Sequence, residues 1–181
     1  MHRNTSDQEL DPERTALLVI DVQRALFSRS TPIYKADELI QRLNALIASW
    51  QSSKGLVVFI QHSNNKMLIK NTDGWRFHPD LNVNDLDIVV HKLHGNAFEG
   101  TNLKEILDSK GIENIVITGL VTQGCVRATS IGGHAIGYRV ILVKDGHSNY
   151  RKDAQKIIEK WNQELGKHHT ELLLADEVAL A

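Results

Sequence analysis

The sequence predicts an α/β domain in three layers, α/β/α, with a mostly parallel six-stranded sheet and helices on both faces. Three observations lead there. Short runs rich in aliphatic residues recur at 16–20, 56–60, 88–90, 115–118, 138–143 and 171–174. Such runs, where unbroken by polar residues, mark strands buried on both faces. Helical segments lie between them, and strands alternating with helices give a parallel sheet covered on two sides. No linker, internal repeat or low-complexity tract divides the 181 residues, a length that suits one domain with a substantial core.

Each element follows from local signals. Residues 1–14 read as a polar N-terminal segment and 15–181 as the single domain. Ala16–Ile20 is the first strand and stops at Asp21. Ser28 to Lys35, with Pro32 inside it, reads as a loop. Asp37 is placed to cap a helix whose apolar face is Leu39, Ile40, Leu43, Leu46, Ile47 and Trp50. Lys54-Gly55 closes that helix. Leu56–Ile60 is the second strand, ending near Gln61-His62. From His62 to Asp87 runs the longest irregular stretch, with turn signals at Asn64-Asn65, Asp73-Gly74 and His78-Pro79-Asp80. A loop of that length in a compact domain carries function or is disordered; Trp75 and Phe77 argue against simple disorder. Ile88–Val90 is the third strand, ending at His91-Lys92. Thr101 is placed to cap a helix reaching Ser109, with Gly111 after it. Ile115–Thr118 is the fourth strand. Thr122–Ala135 reads as a helix in spite of Gly132 and Gly133, which lower its propensity but permit close packing. Tyr138–Val143 is the fifth strand, ending near Asp145-Gly146. Tyr150–Leu165 is helical, and Glu171–Leu174 is the sixth strand. The sum is a Rossmann-like arrangement.

Composition narrows the function. Hydrophobic residues make up 41% and charged residues 24%, the balance of an ordinary globular domain. The net charge is −1, with Lys and Arg scattered, so no electrostatic footprint for nucleic acid is present. No apolar run approaches the roughly 18 residues that span a membrane, and Met1 to Arg14 lacks the apolar segment of a signal peptide. One cysteine forms no internal disulfide. These features predict a cytoplasmic protein acting on a small molecule.

Ligands of such sheets bind beyond the carboxyl ends of the strands. Asp21, Lys92 and Cys125 fall at three of those ends. Cys125 is expected near the first turn of its helix, where free N–H groups and the helix dipole lower a thiol's pKa. A thiolate attacking a carbonyl needs a base for its proton, donors for the oxyanion and an acid for the leaving group. Asp21 suits the base and acid roles, and Lys92 suits keeping Asp21 ionised. The backbone N–H groups of Val121 and Cys125 suit the oxyanion. Each residue also has an ordinary reading: a small buried thiol, a strand-end turn residue, an exposed lysine. Composition alone does not choose between them. For the substrate pocket the candidates are Gln23, Phe27, Trp75 and Phe98.

Several ordered segments carry a resemblance. They are Ala16-Leu-Leu-Val-Ile-Asp21-Val-Gln23, Val89-Val-His-Lys92 running on to Ala97-Phe98-Glu-Gly100-Thr101-Asn-Leu103, and Gly119-Leu-Val-Thr-Gln-Gly-Cys125-Val126. Gly74-Trp75-Arg-Phe-His78-Pro79, Gly137-Tyr138 and Asp145 also fit. The chain resembles the isochorismatase-like cysteine hydrolases from Thr15 to about Glu177. The resemblance implies an Asp–Lys–Cys triad of Asp21, Lys92 and Cys125. It also implies a cis peptide between Leu120 and Val121, and a homo-oligomer, dimer or tetramer. Residues near Gly132, Gly133 and His134 are candidate contacts between copies.

Departures from better-known members shape the expected chemistry. Nicotinamidase-like members carry a metal site with an Asp-x-His pair after the second strand. Here that stretch reads Gln61-His62-Ser63, without the aspartate. His62, His78, Asp73 and Asp80 remain possible ligands, but the expectation is no metal and no cofactor. Members that cleave vinyl ethers lack the cysteine, so Cys125 favours hydrolysis of an amide, ureido or carbamoyl C–N bond through a thioester. The alternatives are vinyl-ether hydrolysis with Asp21 as acid, and a redox-responsive binding protein with Cys125 as sensor thiol. The absence of a second cysteine weakens the last.

Overall fold

In the computed structural model, which describes residues 9–181, the first apolar run forms β1 (Thr15–Ile20), and every residue of it is buried. It lies inside one sheet with β2 (Leu56–His62), β3 (Ile88–Lys92), β4 (Asn114–Leu120), β5 (Arg139–Ser148) and β6 (Glu171–Leu173). The order is β3-β2-β1-β4-β5-β6, and every adjacent pair is parallel. Moving from β1, the chain builds outward to β2 and β3, then returns to place β4 on the other side. The sheet therefore reverses its order between β1 and β4, which is where such sheets open a crevice at their carboxyl ends.

Strand alternation divides the core in two. Leu17 and Val19 of β1, Val57 and Phe59 of β2, and Val116, Ile141 and Val143 face one way. The apolar face of α2 (Ala36–Ser52) covers them with Leu39, Ile40, Leu43, Leu46, Ile47 and Trp50, all buried. Trp50 also donates from Nε1 to the Thr15 carbonyl at 3.1 Å, tying α2 to the start of β1. Leu18, Ile20, Val58, Ile60, Val90, Ile117 and Leu142 face the other way. There they meet Leu103 and Leu107 of α3 (Leu103–Ser109) and Leu165 of α5 (Ala154–Gly166).

Several boundaries differ from the sequence reading, each for a local reason. Part of the N-terminal segment belongs to the fold: Leu10 is buried, and its backbone bonds to Ala179 and Ala181. Residues 1–8 of that segment lie outside the described residues. A one-turn helix, α1 (Arg24–Phe27), follows β1. Asp37 does not cap α2; left-handed Lys35 stands at the cap and Asp37 sits in the first turn, where its charge still complements the dipole. At the other end the left-handed residue is Lys54, while Gly55 is glycine for space: a Cβ there would lie 2.7 Å from Cδ1 of Trp50. Asn102 occupies the position before α3 but makes no side-chain cap; the Thr101 hydroxyl does, accepting from the Leu103 N–H at 3.3 Å while donating to the Ala97 carbonyl. Strand β5 runs on through Ser148, because a bulge after Ile117 lets Gly119 and Leu120 pair again with His147 and Ser148. Helix α5 starts at Ala154, later than expected, after a loop from Asn149.

The expected helix over 122–135 is two pieces. Thr122–Val126 forms a π-type turn kinked at Gly124 (φ −107°, ψ −109°), and α4 proper is Arg127–Ala135. Gly132 and Gly133 answer to neighbours within the chain: a Cβ on either would come within 2.5 Å of Asn96 or Ile115 side-chain atoms. No helix among the described residues is long and apolar enough to cross a membrane.

Candidate active site

At the β1–β4 reversal the backbone is set before any side chain acts. Gly119 of β4 has φ +109°, and a Cβ on it would sit 2.1 Å from the Ile20 carbonyl oxygen. Only glycine allows β1 and β4 to approach so closely. Asp21 also takes a left-handed backbone (φ 52°), a conformation Asp tolerates better than most residues, and its N–H still bonds to the Ile60 carbonyl at 3.0 Å. The Leu120–Val121 peptide is cis, and the Val121 carbonyl accepts from the N–H groups of Gly124 and Val126. That turn delivers Cys125 to the end of β1.

The three strand-end residues meet around one ammonium group. Lys92 Nζ lies 2.9 Å from Asp21 Oδ2 and 3.1 Å from Cys125 Sγ. It also lies 3.0 Å from His62 Nδ1 and 3.1 Å from the His94 carbonyl oxygen. Lys92 and Asp21 are 1% and 2% exposed, so this ion pair is sealed from water. An ammonium has three protons for these four neighbours. A neutral thiol is the weakest acceptor of the four, and an ionised one would be a strong one. The second carboxylate oxygen, Asp21 Oδ1, is buried and makes no hydrogen bond. A carboxylate oxygen of Asp21 nevertheless lies within 4.8 Å of Cys125 Sγ, leaving an acceptor close to the thiol proton.

Electrostatics decide the resting form. Burial pushes the Cys125 thiol up to about 12, and the charge of Asp21 pushes the same way, while Lys92 opposes both. The expectation of a thiol lowered by a helix start is therefore corrected. Cys125 stands in the kinked turn ahead of α4, and desolvation outweighs the local dipoles. Burial also raises Asp21, against the pull of Lys92 and the Cys125 contact. A raised carboxylate is a better match for a thiol proton than an ordinary one.

The donor set bears on metal binding. Among the described residues, Asp21, His62 and Cys125 are the metal-capable groups whose ligand atoms all lie within 4.8 Å of one another. The Lys92 ammonium already touches all three, so a divalent ion does not fit there without displacing it. The other sequence candidates stand elsewhere. Asp73 pairs with Arg24 at 2.7 Å, and His78 packs on Phe27 with ring centres 4.4 Å apart.

A family model described as "Isochorismatase domain" matches residues 15–160. The chain belongs to the isochorismatase family. Among curated relatives, a streptothricin hydrolase from Streptomyces noursei is 29% identical over 168 residues, covering 91% of this chain and 61% of the relative. The chain thus spans about three-fifths of that relative's length. A maleamate amidohydrolase from Pseudomonas putida is 32% identical over 59 residues, 33% of this chain and 28% of the relative. Among solved structures, a cysteine hydrolase from Pseudomonas syringae pv. phaseolicola superposes with a TM-score of 0.88 at 18% identity, covering 98% of this chain and 96% of that one. That likeness speaks for the fold.

Within this isochorismatase-family chain, the remaining predicted residues separate. Gln23, a candidate for the substrate pocket, follows the left-handed turn at Asp21 that ends β1. Gln23 is instead fully buried: Nε2 donates to the His62 and Trp75 carbonyls at 3.0 and 2.8 Å, and Oε1 accepts from the His62 N–H at 2.9 Å. Its amide is committed to holding β2 and the Trp75 loop. Trp75 is half-buried, donates from Nε1 to Ser63 Oγ at 2.8 Å and stacks on His91 at 5.4 Å. Phe27 packs against the same core cluster. Phe98 stacks on Tyr138 at 5.6 Å; Tyr138 enters β5, at the amino edge of the sheet and away from Cys125. Sequence reasoning weighed His62 only as a metal ligand. Its place was legible all the same, since it ends β2 as Asp21 follows β1 and Lys92 ends β3.

Proposed function

We propose that this protein is a cysteine amidohydrolase that cleaves a C–N bond of a small-molecule amide, urea or carbamate through a thioester. The observation that carries this reading is the buried Lys92 ammonium in contact with both Asp21 and the partly exposed Cys125 thiol. Asp21 takes the thiol proton as Sγ attacks the carbonyl carbon. A C–S bond forms, and the carbonyl π pair moves onto oxygen. The N–H groups of Val121 and Cys125, which border the thiol in the turn, donate to that oxyanion. Collapse breaks the C–N bond, and Asp21 returns its proton to the leaving nitrogen. Water then attacks the thioester with Asp21 again as base, releasing the acid and restoring the thiol. Lys92 compensates the negative charge as it passes between Asp21 and sulfur.

Two observations support coupling proton transfer to attack. The thiol, pushed up to about 12, is almost wholly protonated at neutral pH, so a free thiolate is not available in advance. Asp21, itself raised, has a carboxylate oxygen within 4.8 Å of the sulfur. The relatives' names, streptothricin hydrolase and maleamate amidohydrolase, agree with hydrolysis and, in the second, with amide cleavage.

The test is intact-mass spectrometry of the protein after exposure to a panel of amides, ureas and carbamates. The expected result is a covalent acyl adduct on Cys125, absent from Cys125→Ala, which keeps its fold and loses turnover. Hydrolysis retained by Cys125→Ala would exclude covalent catalysis by this thiol.

A further inference from the structure

A buried polar chain outside the Asp21–Lys92–Cys125 cluster reaches the same turn from the opposite side. His147 Nδ1 lies 2.9 Å from Thr122 Oγ1, and His147 Nε2 lies 2.9 Å from Asn162 Oδ1. Asn162 Nδ2 donates to the Lys144 carbonyl at 3.1 Å. Thr122 and His147 are almost fully buried, and Asn162 lies on α5.

The proton positions along this chain follow from chemistry. A carbonyl only accepts, so the Asn162 amide nitrogen must face Lys144 and its oxygen must face His147. His147 Nε2 therefore carries a proton and donates. Burial holds His147 down at about 4, so at neutral pH Nδ1 is bare and accepts from the Thr122 hydroxyl. Thr122 is the first residue of the π-type turn that ends in Cys125-Val126, directly after Val121. In the β4–β5 ladder His147 also pairs with Gly119, and Ser148 with Leu120. One residue thus holds both flanks of the Leu120–Val121 peptide, by backbone before it and by side chain after it.

We propose that His147, acting through Thr122, is a positioning residue that sets the Val121 and Cys125 N–H groups for the oxyanion. The inference rests on the thioester reading above. Neither residue needs to touch the substrate. Their part is to stop the turn from relaxing about Gly124, its one residue of non-helical backbone. Displacing oxyanion donors slows any reaction that builds charge on a carbonyl oxygen. It leaves a displacement at saturated carbon nearly untouched, because no oxyanion forms there.

Two reagents separate these cases on the intact protein without knowledge of the natural substrate. With p-nitrophenyl acetate, Sγ acylation expels p-nitrophenolate through a tetrahedral oxyanion. With iodoacetamide, Sγ displaces iodide and forms none. Thr122→Val removes the hydroxyl and keeps the shape; Thr122→Ser keeps the hydroxyl. The expected result is acylation slowed at least tenfold in Thr122→Val, alkylation within about twofold of wild type, and a ratio restored by Thr122→Ser. His147→Gln, which can still reach Asn162 but loses the Nδ1 acceptor, should match Thr122→Val and serves if that variant does not fold. Equal slowing of both reactions, or an unchanged ratio in Thr122→Val or His147→Gln, overturns the proposal. A wild-type protein with no Cys125-dependent p-nitrophenolate release would instead overturn the thioester reading, and this one with it.

Discussion

Replacing Lys92 by Met tests whether its ammonium is the cation around which the site is built. The perturbation removes a charge 2.9 Å from Asp21 Oδ2 and 3.1 Å from Cys125 Sγ while leaving a side chain of similar length. Both members of the ion pair are nearly inaccessible, so water does not take the ammonium's place. Removing one partner of a buried pair costs about 3–5 kcal/mol when the other stays charged. The carboxyl has an escape, which is to take a proton. Burial already raises Asp21, and Lys92 is the main influence opposing that rise. Without Lys92 the carboxyl must rise further. A carboxyl raised above its unfolded value makes the native state bind more protons than the unfolded state, so stability falls as pH increases. The stability gap between wild type and Lys92→Met should therefore widen with pH. One proton sets a ceiling of about 1.4 kcal/mol per pH unit, and the gap levels off at about 3–5 kcal/mol once Asp21 ionises. Urea unfolding at pH 5, 6, 7 and 8 measures it, with the Asp21→Asn/Lys92→Met double variant as control. The control should lose the slope and regain part of the stability. A gap that stays flat from pH 5 to 8, or a slope that survives in the double variant, would refute the reasoning.

Two further substitutions probe the frame of the site. Gly119→Ala puts a Cβ 2.1 Å from the Ile20 carbonyl oxygen at a residue with φ +109°; a loss beyond about 4 kcal/mol is expected, in the range reserved for severe core lesions, and a melting temperature near wild type would contradict it. Gln23→Leu strips hydrogen bonds from the His62 and Trp75 backbone; at about 1–3 kcal/mol for each buried group left unpaired, a clear drop in urea midpoint should accompany faster amide exchange at His62, and unchanged exchange would show that the amide is not what holds β2.

The fold was legible because its signals are local and repeated. The runs at 16–20, 56–60 and 115–118 have no polar residue to contradict a strand until their ends, and the apolar positions of α2 recur on one helical face. The meeting of Asp21, Lys92 and Cys125 was legible through the rule that ligands gather at strand ends, together with the family resemblance of the segments that carry them. What stayed hidden depends on non-local geometry. Nothing near Gln23 in the chain says that its amide will be consumed by His62 and Trp75, roughly forty and fifty positions away. The π-type turn was read as plain helix because Thr122–Ala135 lacks proline, and one kinked glycine leaves no periodic mark. Phe98 looked like a pocket residue beside Lys92 in sequence, yet the intervening loop carries it to Tyr138 at the other edge of the sheet.

The left-handed turn at Asp21 explains how a strand-end rule produced a working cluster rather than three separate ends. By alternation, Ile20 faces the α3 and α5 side, so a residue continuing β1 would face the α2 side. In β2, Phe59 and Gln61 fall on the α2 side and Ile60 and His62 on the other; in β3, Val90 and Lys92 share the face of His62, and His62 and Lys92 are register partners. Cys125 also packs on that second side. A regular extension of β1 would thus aim Asp21 away from both its cation and its thiol. The φ of +52° breaks the alternation at that one residue, and the carboxylate ends 2.9 Å from Lys92 Nζ. Aspartate is among the few residues that accept this backbone without a large steric cost. Lysine is the matching choice on β3. Its stem must pass the end of β2, where His62 supplies a hydrogen-bond partner on the way, to reach a strand two places distant. The identity of each residue follows from the distance and direction its strand leaves it to cover.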